Sequence, residues 1–225
     1  MTRQLAFDLP IAATYLRADF YVSAVNAQAV AAIDAWHDWP GSKMLLVGPH
    51  GAGKTHLAHV WADMAAASLV QGADIGGADL SGLSAAGCVV VEDADAVAGD
   101  PVAESALFHL HNLVTQRHSL LITAATPPRD WGASLPDLIS RLQAAPLTRL
   151  PPPDDALLSA VLIKLFADRQ LEVAPNLIPY LVARMDRSIG AARALVAVLD
   201  AQALARHRAI TRKLAGEVLD SQEAG

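Results

Sequence analysis

The sequence predicts an α/β domain, a parallel sheet covered by helices on both faces, followed by a small all-helical domain. Three observations carry this expectation. The runs KMLLV at 43–47, CVVV at 88–91 and SLLITAA at 119–125 are apolar throughout and alternate with helical segments, as buried parallel strands do. The stretch GPHGAGKT, 48–55, follows the first run directly and has the form G-x-x-x-x-G-K-S/T of a phosphate-binding loop. The composition changes at LPPPDDA, 150–156, and no strand pattern appears beyond it.

Residues 24–36 are alanine-rich with helical spacing, and Ser23 is a candidate N-cap. The first strand, 43–47, stops at Gly48, and a helix is expected from Lys54 to about Ala67. Residues 68–71 are a weak strand candidate in a region, 68–87, rich in Gly, Ala and Asp. The second strong strand is 88–91, and 102–117 read as helix. Pro127 and Pro128 close the third strand. A short helix is expected over LPDLISRL, 135–142, with Ser134 as its cap, and LTRL at 147–150 is a last strand. Three prolines and two acids then make a stiff linker and a helix start. Residues 154–169, 175–185, 188–206 and 211–220 read as helices. The expected organisation is an arm at 1–10, an α/β domain over 11–150 and a helical domain over 151–225.

The 225 residues can bury a core of ordinary size. A formal charge of −6 and the lack of any basic tract argue against strong nucleic-acid binding, which depends on clustered Lys and Arg. Arg206, Arg208, Arg212 and Lys213 come closest, and read as the solvated face of a late helix. The single cysteine, Cys88, forms no internal disulfide and suits a reducing cytosol. MTRQLAFDLP lacks the apolar stretch of a signal peptide, and no run approaches the length of a membrane span, so a cytoplasmic location is expected.

The cofactor-binding loop comprises Gly48, Pro49, Gly51, Ala52 and Gly53, and its glycines would let backbone N–H groups turn towards phosphates. Lys54 would reach the terminal phosphates, Thr55 would ligate Mg²⁺, and His56 follows on the same helix. The positive end of that helix would face the anion. VVVEDAD, 89–95, supplies acids at the end of a neighbouring strand. Glu92 takes the magnesium-supporting position and Asp93 that of a water-polarising acid. Arg141, in the short helix after the third strand, is either an exposed arginine or a cation donated to a nucleotide bound by a neighbouring subunit. Spacing alone does not choose between these.

FYVSAVNAQA (20–29), GPHGAGKTHLA (48–58), VVVEDADAVAGD (89–100), LLITAATPPRDW (120–131) and LPDLISRL (135–142) together resemble the DnaA-related AAA+ family. The resemblance is nearest to the short regulatory branch that inactivates the replication initiator. The prolines after the third strand and the PDLxSRL element are its most specific parts. It implies an AAA+ core with a helical lid and ATP or ADP as ligand. It places Asn26 near the adenine and gives Arg141 the finger role. It also implies DnaA as partner, with homo-oligomers compatible with the family. QLAFDL then looks like a peptide that docks on the DNA polymerase III sliding clamp. Gln4 would make polar contacts, and Leu5, Phe7 and Leu9 would fill an apolar pocket.

Three positions depart from the family pattern. Ala124, Ala125 and Thr126 precede Pro127 where an acid is usual, so Thr123 or Thr126 must act as the sensor, or the sensor is lost. Gly190 stands where the lid arginine belongs, with Arg187 and Arg193 about one helical turn away on either side. Glu92 is one carbon longer than the usual Asp. The residues after the lid leave no room for a helix-turn-helix, so sequence-specific DNA binding is not expected. The expected function is a clamp-tethered regulator that promotes hydrolysis of DnaA-bound ATP and has weak ATPase activity of its own. The alternatives are an adaptor that recruits DnaA or helicase without stimulating hydrolysis, and a small-molecule kinase. The kinase lacks an evident acceptor-binding acid or basic lid cluster.

Overall fold

The computed structural model describes residue 17 and residues 20–206 and 208–223. Gln4, Leu5, Phe7 and Leu9, the expected clamp-docking residues, lie outside them. Among the described residues five strands, β1 (Lys43–Val47), β2 (Ser68–Gln71), β3 (Val89–Glu92), β4 (Leu120–Ala124) and β5 (Leu147–Arg149), form one sheet in the order β2-β3-β4-β1-β5. Every pairing is parallel. The weak strand at 68–71 therefore forms, as an edge.

The apolar strands divide their residues between two faces, because side chains alternate along a strand. Leu45, Val47, Val89, Val91, Leu120 and Ile122 pack on one side with α4 (Pro101–Val114) and α5 (Pro136–Gln143). Met44, Leu46, Val90 and Leu121 pack on the other with α1 (Ala27–Asp34) and α2 (Lys54–Ala65). There Trp61 is fully buried and stacks on Trp39, with ring centroids 5.2 Å apart. The helices α6 (Asp155–Asp168), α7 (Leu177–Val182), α8 (Ile189–Arg206) and α9 (Arg212–Glu223) close a separate core around Leu162, Phe166, Leu181 and Val196.

Three expectations about local structure change. The first helix begins at Ala27, so Ser23 is no cap. Instead the Ser23 N–H donates to Asn26 Oδ1 at 2.8 Å. The polar stretch after β2 contains α3 (Leu80–Ala86), started by Asp79, whose side chain accepts from Gly82 N–H at 3.0 Å. Its glycine and serines hid it, since they are weak helix formers. Ser134 does not cap α5, which starts at Pro136 after Leu135. The Ser134 hydroxyl is taken by Glu104 on α4, and a distant carboxylate outcompetes a local cap. By contrast Asp154 caps α6 through Leu157 N–H at 2.8 Å.

Candidate functional site

The glycine loop leaves β1 between two neighbouring strands. Gly48 N–H donates to Ala124 O of β4 at 3.1 Å, and Leu150 N–H donates to Val47 O at 2.8 Å. Any side chain at Gly48 would run into the Leu150 carbonyl oxygen. Gly51 has φ +75 and lies against the Ser188 side chain, so neither conformation nor space admits a Cβ there. Its carbonyl accepts from Ile189 N–H at 3.0 Å, so the start of α8 rests on the loop. Ala52 is buried, and Gly53 leads into α2, whose first-turn N–H groups have no partner within the helix.

Lys54 is 5% exposed, and its ammonium donates to Pro49 O at 3.3 Å. Thr55 follows, half-buried. His56 is buried, with its ring edge-on to Phe20 at 5.1 Å. The Arg193 guanidinium lies 2.9 Å from His56 Nδ1. A guanidinium only donates, so Nδ1 accepts and the imidazole proton sits on Nε2. Arg187 turns elsewhere, bonding Asp155 at 2.6 Å and Pro153 O at 3.2 Å. Of the two arginines flanking Gly190, Arg193 is therefore the one held on the loop helix.

The Asn26 amide is engaged on both sides, since Nδ2 donates to Tyr21 O at 2.8 Å while Oδ1 holds Ser23 N–H. It closes a turn that leaves Tyr21 and Val22 exposed. Asn26 thus shapes this segment through its backbone contacts.

At the end of β3, Glu92 is 3% exposed. Its Oε2 accepts from Gln71 Nε2 at 3.2 Å and lies 3.6 Å from His59 Nε2. Its Oε1 is buried with no hydrogen-bond partner among the described residues. Asp93 adopts a left-handed backbone, φ 45 and ψ 51, and its N–H donates to Thr123 Oγ1 at 3.0 Å. Asp95 accepts from Ala125 N–H at 3.0 Å. Thr123 and Asp95 thus tie the acidic turn to the end of β4.

Arg141 stands apart, exposed on the last turn of α5, with no carboxylate partner among the described residues. Its charge lowers the basicity of Lys43 and His111. Sequence reasoning missed His59 and Gln71 around Glu92, Ser188 and Ile189 on the loop, and Lys43 and His111 beside Arg141. Only His59 left a readable signal, since it lies four residues after Thr55 on one helix face.

No family model matches the chain. Domain III of the Thermotoga maritima replication initiation protein DnaA superposes with a TM-score of 0.78 at 18% identity, over 95% of this chain and 98% of that one. AMPPCP-bound DnaA from Aquifex aeolicus gives 0.71 at 18% identity, over 83% of this chain and 65% of that one. The Thermotoga maritima RuvB Holliday junction branch migration motor gives 0.67 at 16% identity, over 88% and 68%. At such identities the likeness is one of architecture: this chain has the AAA+ fold of DnaA and RuvB.

Proposed function

We propose that this chain is a DnaA-like AAA+ regulator of replication initiation, of the Hda kind. It binds ATP or ADP between the glycine loop and the helical lid, and its Arg141 acts on ATP held by a neighbouring DnaA. The observation that carries this reading is the contrast between its two charged centres. Glu92 is engaged by Gln71 and His59 inside the chain, whereas Arg141 is exposed on α5 without a carboxylate partner among the described residues.

The residues around the loop suit an adenine nucleotide. Lys54, the loop N–H groups and the start of α2 offer positive potential to phosphates, and Arg193 approaches from the lid. Thr55 and Glu92 are the residues that would hold Mg²⁺. The buried Glu92 Oε1, without a hydrogen-bond partner among the described residues, fits such a role, since an orphaned carboxylate oxygen in the interior calls for a cation or its water. A bound Mg²⁺ would neutralise phosphate charge. Thr123, through Asp93 N–H, keeps the acidic turn in register with β4.

In the neighbouring subunit, positioning and charge stabilisation dominate phosphoryl transfer, so a cation supplied across the interface accelerates it. Arg141 supplies that cation. The tether would be QLAFDL, with Gln4, Leu5, Phe7 and Leu9 on the sliding clamp.

The test is hydrolysis of DnaA-bound ATP with this chain and DNA-loaded clamp, each omitted in turn. Arg141→Ala should reduce the stimulated rate by about a thousandfold or more, and removal of residues 1–10 should abolish the clamp dependence. Stimulation that survives Arg141→Ala would sink the mechanism.

A further inference from the structure

Lys43 opens β1 and shares a strand face with Leu45 and Val47, towards the α4 and α5 layer. Its Nζ lies 3.1 Å from Nε2 of His111, which is 1% exposed on α4. An ammonium only donates, so Nε2 accepts and the ring proton sits on Nδ1, 3.4 Å from Asn112 Oδ1. His111 is therefore a neutral acceptor that holds the Lys43 ammonium in place. Arg141, on the last turn of α5, adds a second positive charge that both groups feel. Among the described residues no carboxylate pairs with Lys43 or Arg141, although acids outnumber bases in the chain by 23 to 17.

A half-buried lysine with a neutral partner and no acid, under the charge of an arginine, is an arrangement that costs free energy within the monomer. It becomes favourable when an anion arrives from outside. Burial first, and then the Arg141 charge, make the Lys43 proton easier to lose.

We propose that Lys43, held by His111, is a second cation of the Arg141 site and contacts the terminal phosphates of the nucleotide bound by the neighbouring subunit. The proposal rests on the finger reading of Arg141 and adds a residue to it. Arg141 would reach the anion with its planar donor fork, and Lys43 would add a compact charge.

The test is single-turnover hydrolysis of DnaA-bound ATP at saturating concentrations of this chain. Lys43→Met should lower the rate constant roughly 10- to 100-fold, with the half-saturating concentration of the chain little changed. Lys43→Arg should restore most of the rate. The wild-type rate should fall as pH rises through the lowered Lys43 pKa, whereas Lys43→Arg should stay flat there. If Lys43→Met fails to fold, Lys43→Gln keeps a donor for His111 and replaces it. A Lys43→Met rate equal to wild type, with Arg141→Ala inactive, overturns the second cation and leaves the finger standing. Equal loss in the Met and Arg variants marks Lys43 as structural and also overturns it. Full activity of Arg141→Ala removes the site itself, and the Lys43 proposal with it.

Discussion

Glu104 and Ser134 are joined by three hydrogen bonds across 30 residues of sequence. Ser134 N–H donates to both carboxylate oxygens at 3.0 and 2.9 Å, and its hydroxyl donates to Oε2 at 2.9 Å. Leu135 N–H at 2.8 Å and Gly99 N–H at 3.0 Å complete the set. The carboxylate has no exposed surface. It fixes the entry to α5, the helix that carries Arg141, to the body of α4.

Glu104→Gln replaces an acceptor by an amide that faces N–H groups, and should cost about 2 to 4 kcal/mol. Burial alone would raise this carboxyl pKa, but the hydrogen bonds from Ser134, Gly99 and Leu135 outweigh it and hold the pKa below its ordinary value. The folded state therefore binds its proton less readily than the unfolded one. The contribution is present above the ordinary carboxylate pKa and is lost as pH falls from there through the lowered value. Urea unfolding at pH 7 and near pH 3.5 should show a large difference between wild type and Glu104→Gln at the first and a smaller one at the second.

His111 behaves in the opposite chemical sense. Burial first, then the Lys43 charge and more weakly Arg141, push its pKa below 6.5, despite the Asn112 hydrogen bond. It is neutral in the fold and protonates first in the unfolded chain. Stability should therefore rise with pH across the interval below about 6.5. Lys43 and Asn112 face the ring from β1 and α4, and the Arg141 charge acts on it from α5. His111→Gln, which keeps an acceptor and does not titrate, should flatten that part of the curve of unfolding free energy against pH.

Lys54→Ala should weaken ADP binding by about tenfold or more, since it removes the charge nearest the loop. A fluorescent ADP analogue reads this directly. Unchanged affinity would mean that the loop does not carry the phosphates.

The two lid arginines should separate. Arg193→Ala should reduce the thermal shift produced by ATP, because it removes the guanidinium held on His56. Arg187→Ala should leave that shift intact and cost about 0 to 1 kcal/mol, as expected for its exposed pair with Asp155. The reverse pattern would give the sensing role to Arg187.

The α/β architecture was legible because buried parallel strands carry uninterrupted apolar runs, and KMLLV, CVVV and LLITA are such runs. The glycine loop was legible because its chemistry is local: glycines, a lysine and a threonine at fixed spacing. Helix α3 was not, since its glycine and serines carry no helical signal and an Asp79 cap and packing against α4 hold it.

By itself, then, the sequence determined the features set by period and local spacing: the strands, the loop before α2 and the helical region after the prolines. Tertiary structure alone decided the partners of charged groups. Arg193 rather than Arg187 lies on the loop helix, Gln71 and His59 engage Glu92, and Glu104 anchors the segment that carries Arg141. The physical reason is range. Helix and strand signals repeat over a few residues, whereas a buried charge finds its partner wherever the chain brings a donor, here 137 residues away for Arg193 and His56 and 30 for Glu104 and Ser134.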